Sequence, residues 1–407
     1  MAWTREDAAH LLRRVGFGGN SCQVEALYAK GRAGAVESLL SYESVPDPAW
    51  EVANPLGLRD PANDARDASL TLLYRFLASA RPLEARMTWF WHAHFAPAMQ
   101  VGGTGLMALQ LDIWRQHGAG HFKDFLPALQ REGAIASKPY SPRNAARAVA
   151  SEAGVYRREG AALRASNTAV ASRVPIAIQS ERLPSRHEPL SAPYDHAGAM
   201  ESVCLKLYRA FVCDRASAAD LEVLMAAWGR SGGSIKSVMS TMLRASAFWD
   251  TQVRGTVLKG AMEYAAGLVQ RLDLELNRAL VESVAMNLPK MGQVPFQFGE
   301  VARGRTAMQL SSAGVLVSRY EFARYAIYAV APDRVAQSMT IGFPRKIPPN
   351  VFITLLAQRL GLALLTTATR CVVNEYLGND PVTPSGTPDK VLGALYLLAC
   401  SPEYQVS

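Results

Sequence analysis

The stretch RMTWFWHAHFAPAM, Arg86 to Met99, constrains the fold of this chain more than any other. Trp89, Phe90, Trp91 and Phe95 crowd against His92 and His94, two of only seven histidines in the sequence. Rings at this density must be buried, since each removes on the order of 150–250 Å² from water. Imidazoles buried among them are where proton affinity can shift and chemistry can arise. Pro82 opens this segment as a helix, and Pro97 interrupts it.

The rest of the chain reads as helices packed around that segment. Thr4 stands as an N-cap with Asp7 in the position of a capping acid, and Ala8, Leu11, Leu12 and Val15 follow at helical spacing. Gly16, Gly18 and Gly19 stop this helix; GFGG follows a helix rather than a strand, so it reads as a stop and not as a phosphate loop. Ser21 caps a second helix, and Ala33 to Leu40 forms a third. Residues 44–65, punctuated by Pro46, Pro48, Pro55 and Pro61, form an irregular connection. Further helices are expected over Asp67–Ala80, Leu106–His117, His121–Glu132 and from Ala197. Others follow over Ala218–Gly229, from Ser234 to near Phe248, and over Val257–Leu272, Leu274–Met286, Ser311–Ile327, from Asn350, and over Asp389–Cys400. The expected fold is all-α, one large multi-helix domain over residues 1–407 with a loop-rich insertion at 133–193. Six prolines punctuate that insertion, a β-hairpin is expected near Val174–Ile178, and the segment reads as a partner-contacting region.

Composition narrows the function classes. With 49% hydrophobic and 19% charged residues there is ample material for a core. The net charge is +8, but no Lys/Arg run exceeds two, so the excess suits solubility or an acidic partner better than nucleic acid. The apolar run from Val351 to Ala368 is interrupted by Gln358, Arg359 and Gly361 and reads as a buried helix, not a membrane span. Five scattered cysteines without a CxxC pair read as reduced, buried thiols. Charges from Arg5 onward without an apolar leader read as a cytoplasmic protein, with export only if a precursor segment was removed.

Several segments together resemble the bacterial family known as domain of unknown function 1800. AAHLLRRVGFG (Ala8–Gly18) is similar to its amino-terminal signature, and RMTWFWHAHFA (Arg86–Ala96) to its FWHxHF motif. KLYRAFVCD (Lys206–Asp214), LPKMGQVPF (Leu288–Phe296), LVSRYEFA (Leu316–Ala323) and LACSPEYQ (Leu398–Gln405) follow in the family's order. The departures are at polar segments. SPRNAARAVASEAGV (Ser141–Val155) stands where the family carries an acidic, Asn-rich segment. QFGEVARG (Gln297–Gly304) lacks the prolines and the Trp of the family's element, and His187–Glu188 replaces a His-Asp pair. The resemblance implies a mostly helical structure, frequent export and genomic pairing with sulfatase-like proteins.

Candidate chemistry centres on His92 and His94. Two residues apart on a regular helix, their side chains diverge by roughly 200°, so a shared metal needs a helix end distorted by Pro97. A divalent transition metal would draw further ligands from His187, Glu188, Asp195 and His196. The alternatives are acid–base catalysis in a cleft, or histidines that belong to the core or line that cleft. Arg86, Trp89 and Trp91 are the accompanying binding candidates. Asp195 also reads as an N-cap of the helix that follows. No GxSxG elbow is present, and Glu152, Glu159 and Glu201 read as solvated. Three function classes stand: a binding or accessory protein working with an enzyme encoded nearby; an enzyme acting on a small molecule or peptide through His92 and His94; and a homo-oligomeric structural protein.

Overall fold

The computed structural model describes residues 2–60, 64–95, 104–125, 197–293, 312–362 and 364–407; within these the side chains of His94 and Phe95, among others, stand outside the description. The fold is all-α, and among the described residues backbone pairing outside helices is confined to isolated bridges such as Leu258 with Val406. The expected insertion at 133–193, with its hairpin, and most of the helix expected over His121–Glu132 lie outside the described residues.

The first half comprises α1 (Arg5–Val15), α2 (Ser21–Ala29), α3 (Gly31–Leu40), the single turn α4 (Pro48–Glu51), α5 (Ala65–Ala78), α6 (Pro82–Phe95) and α7 (Thr104–His117). After the segment outside the description come α8 (Ala197–Phe211), α9 (Ala218–Arg230), α10 (Ile235–Arg244), the turn α11 (Ser246–Trp249), α12 (Ala261–Arg271) and α13 (Arg278–Asn287). The final set is α14 (Ala313–Tyr328), α15 (Pro332–Thr340), α16 (Pro349–Leu360), α17 (Thr367–Leu377) and α18 (Pro388–Cys400), closed by a 3-10 turn at Pro402–Gln405.

Local chemistry explains most boundaries. Thr4 and Asp7 form a reciprocal capping box on α1, and Ser217 and Asp220 form another on α9. At α2 the cap is Asn20 rather than the expected Ser21, because the Asn20 carboxamide reaches the Gln23 N–H and Gln23 returns the bond. Proline at the first turn starts α15, α16 and α18, where the missing N–H costs nothing. The run Val351–Ala368 is not one helix. Gly361 takes the left-handed conformation (φ +84°) that ends α16, and Thr366 caps α17 anew. The helix expected from Val257 begins only at Ala261, since Lys259 donates its backbone N–H to Gln405 instead (2.8 Å).

α6 is buried nearly all round, as a helix that is apolar on every face must be. Trp89 sets its ring edge against Phe17 and Phe76, while Trp91 packs on Phe122 and Phe125 and donates its indole N–H to the Gly118 carbonyl at 2.7 Å. α18 plays the same part in the second half, with α14, α15, α16 and α17 packed around it. α12 joins the halves, touching α14 and α16 while the turn after α1 crosses it, and one continuous cluster of buried apolar residues runs through both. The five thiols are free, but they are not uniformly buried: Cys204 is, whereas Cys22 and Cys371 are exposed on outer helix faces, where apolar neighbours in sequence do not imply burial.

Gly118 gives a direct check of the hub. A Cβ there would stand 2.7 Å from Trp91 Cδ1 and 2.3 Å from the Trp114 carbonyl oxygen. Gly118→Ala therefore expels the Trp91 ring and breaks its indole bond, and chemical denaturation should show a loss of more than about 2 kcal/mol. A loss under about 0.5 kcal/mol would mean that the ring is not locked.

Candidate functional site

His92 sits at 0% exposure between the rings of Trp89 and Trp114, whose centroids lie 5.5 and 5.7 Å away. Trp89 and Trp91 are likewise core residues. Among the described residues His92 therefore stands in the aromatic core. His94 belongs to the backbone of α6 and its side chain stands outside the description, as do His187, Glu188, Asp195 and His196 entirely. Among the described residues no group of three or more His, Cys, Asp or Glu side chains is arranged to hold a metal ion. Of the sequence candidates, Arg86 leads elsewhere: it forms a close ion pair with Glu263 on α12.

That pair borders a crevice where α1, α12, the end of α16 and the closing 3-10 turn meet. α12 presents Glu263, Gly267 and Arg271 at four-residue spacing, hence on one face. The turn after α1 crosses this face at Gly267, where a Cβ would lie 3.0 Å from the Phe17 carbonyl oxygen. Gly18, at φ +132°, lies equally close from its side. GFGG therefore stops α1 and also lets two backbones touch.

Six cationic side chains converge here, facing two carboxylates. Arg13 pairs with Glu6 (2.5 Å) and donates to the Gly361 carbonyl (2.5 Å). Arg14 donates to the carbonyls of Phe211 (3.0 Å) and Val212 (2.7 Å), capping α8, and to the Ser407 hydroxyl (2.8 Å). Arg319, fully buried, donates to Gln405 Oε1 (3.0 Å) and to the Lys259 carbonyl (2.6 Å). Lys259 Nζ donates to the Tyr404 carbonyl (2.7 Å) and lies 3.7 Å from the centroid of that residue's ring. Arg86 holds Glu263. Arg271 lines the cavity at only 6% exposure and its Nη2 is buried without an acceptor among the described residues; the Nε of Arg319 is likewise unpartnered, but Arg319 is not among the lining residues.

The electrostatics follow from burial. Desolvation, then the nearby Arg86, pulls Arg14 down to about 9, and desolvation, then Arg13, pulls Arg271 down to about 10. Burial drives Lys259 well below its ordinary value, with Arg13, Arg271 and Arg319 adding to the shift. Burial also raises the Tyr404 phenol, so it keeps its proton as a donor. Desolvation pushes Glu263 upward, but Arg86, by charge and hydrogen bond, together with a backbone hydrogen bond and Arg319, brings it below the usual carboxylate range. Between Phe17, Lys259, Arg271, Leu360 and Tyr404 remains a cavity of about 20 Å³, room for roughly one water-sized body.

Sequence reasoning did not single out Arg13, Arg14, Lys259, Arg271 or Arg319 as site residues. A signal was there: each is a cation inside an apolar helical window or at its edge, where a charge is rarely buried without a partner. The segments that carry the family resemblance also meet here in space. Arg13 and Phe17 come from the first, Arg86 from the second, Phe211 from the third, Arg319 from the fifth and Tyr404 with Gln405 from the last.

The core histidines set a pH dependence. Burial lowers His92 to about 4 and drives His10, whose Nε2 bonds the Phe248 carbonyl at 3.0 Å, well below its ordinary value. Both are neutral when folded, so from pH 6.5 downward the unfolded chain takes up protons that the folded chain refuses. Stability is therefore full above about pH 6.5 and falls on the way to pH 4, by on the order of 3 kcal/mol for His92. Urea denaturation at pH 7 and pH 4.5 should show this fall, and His92→Leu should make it shallower; an unchanged slope would mean the imidazole meets water.

No curated protein and no solved structure matches the chain. A family model described as "Protein of unknown function (DUF1800)" matches residues 10–137 and 188–406, and with them every residue of the crevice except Glu6 and Ser407. The chain belongs to that family.

Proposed function

We propose that this chain is a binding or accessory protein that works with a partner encoded nearby, and that the crevice beside α12 is where it meets an acidic group. The observation that carries this reading is the crevice's charge. Cations from α1, α6, α12, α14 and the segment before α12 surround it, and the side-chain carboxylate in its lining, Glu263, pairs with Arg86 through Oε1 while Oε2 has no partner among the described residues. A wall of this kind suits recognition. Turnover would want a nucleophile with a base in reach, or two acids of separated affinity; the described crevice offers a protonated phenol and guanidinium groups. The sealed position of His92 favours the same reading, because a neutral imidazole without access to solvent cannot exchange protons with a substrate.

The net charge of +8 adds long-range attraction to an acidic partner, and that attraction weakens with salt. Co-expression with the products of adjacent genes, followed by co-purification of the full chain, tests the reading. The expected result is a stoichiometric complex at micromolar protein whose Kd rises several-fold between 50 and roughly 300 mM salt. A chain that elutes alone with every neighbour would contradict it.

A further inference from the structure

We propose that the cavity between Arg271, Lys259 and Tyr404 binds a single oxyanion group, a carboxylate or a phosphate, as the fixed point of ligand recognition; this deepens the reading above and rests on it only for the crevice's role as a binding site.

Three observations carry it. First, Arg271 Nη2 is buried without an acceptor among the described residues, in a residue that is only 6% exposed. An unpaired buried cation costs several kcal/mol, so such a group persists where something else supplies the charge. Second, the neighbouring cations do not compete for that role. Arg13 and Arg14 donate to helix-end carbonyls and Arg86 to Glu263; Arg319 donates through both Nη atoms to Gln405 and the Lys259 carbonyl, and although its Nε has no partner among the described residues, it is not among the residues that line the cavity. The helix C-termini that meet here contribute roughly half a negative charge each, which helps to keep those guanidinium groups in place but gives Nη2 no hydrogen bond. Third, the fold reserves the space. Gly361 keeps a Cβ away from Arg271, since one there would stand 2.9 Å from Cζ, and Gly267 keeps α12 free of a side chain opposite Phe17.

The donors and the space select the ligand class. Arg271 offers N–H groups in a plane, Lys259 an amine that donates in either protonation state, and Tyr404 a hydroxyl that stays protonated. About 20 Å³ admits one oxygen of the group fully, with the remainder in the crevice mouth. An oxyanion with a body attached fits this arrangement, with the body outside. A metal cation does not, because like charge lines the wall.

Isothermal titration of the full chain with sodium phosphate and, separately, with sodium acetate tests the proposal, each against sodium chloride at matched ionic strength. At least one oxyanion should bind saturably. Preference for phosphate marks a phosphorylated ligand, and preference for acetate a carboxylate. Arg271→Gln should weaken that binding at least about tenfold, the loss of one charged hydrogen bond. It should leave the melting temperature in chloride unchanged or higher, because an uncompensated buried charge has been removed. Tyr404→Phe keeps the ring under Lys259 and should weaken binding about three- to tenfold, which serves as the check if the arginine variant misfolds. Neither oxyanion binding better than chloride, or binding that Arg271→Gln leaves intact, would overturn the proposal. Oxyanion binding without any co-purifying partner would leave the site standing and remove the accessory role; a partner without oxyanion binding would do the reverse.

Discussion

Guanidinium groups buried against the carbonyl ends of helices are the constraint on which this structure depends. Arg14 leaves α1 to close α8, Arg13 leaves it to hold the carbonyl of Gly361 behind α16, and Arg319 reaches from α14 to Lys259 and Gln405. Arg86 crosses from α6 to Glu263 on α12. Taking such charges out of water costs several kcal/mol per ion unless good acceptors are supplied, so the helix ends must arrive in register for any of these groups to be buried. Apolar contact carries no directional bond and can be remade by repacking, whereas a bonded guanidinium needs its acceptors at set positions. The apolar core supplies most of the stability, and these bonds fix which helix end meets which.

The aromatic hub and the crevice divide the labour. α6 contributes Trp89, Trp91 and His92 to the interior and only Arg86 to the crevice. Burial of the imidazole is thus a packing feature, with a neutral ring standing in for another aromatic between Trp89 and Trp114. GFGG connects the two regions: Phe17 sets its edge on Trp89, while the Phe17 carbonyl and Gly18 lie against Gly267. An added methyl at Gly267 would push the turn away from α12 and open the wall of the cavity.

Features written in local spacing were legible in the sequence. The Thr4–Asp7 and Ser217–Asp220 boxes, the start of α6 at Pro82 and the all-helical class rest on residues within four positions of one another. α17 escaped because its cap, Thr366, lies inside the apolar run Val351–Ala368 that reads as one helix, and α15 because the nine residues from Pro332 carry only a short apolar pattern. The crevice was hidden for a different reason. Its parts lie between Arg13 and Ser407, and Arg271 in GLVQRLD looks like an ordinary solvated helix position. Only the approach of Gly361 and of the closing turn, both distant in sequence, turns that position inward. The family-like segments AAHLLRRVGFG, LVSRYEFA and LACSPEYQ could be read one by one, but their meeting at one cavity could not.

The central claim is that Arg271, whose Nη2 lines the cationic crevice without an acceptor among the described residues, holds the oxyanion of a ligand. A crystal structure of the full chain grown with selenate, a tetrahedral oxyanion that anomalous scattering locates, tests it most directly. The expected result is an anomalous peak at the cavity mouth with an oxygen about 2.8 Å from Arg271 Nη2. Arg271 bonded to a carboxylate or carbonyl of the protein itself, with selenate absent from the cavity, would contradict it.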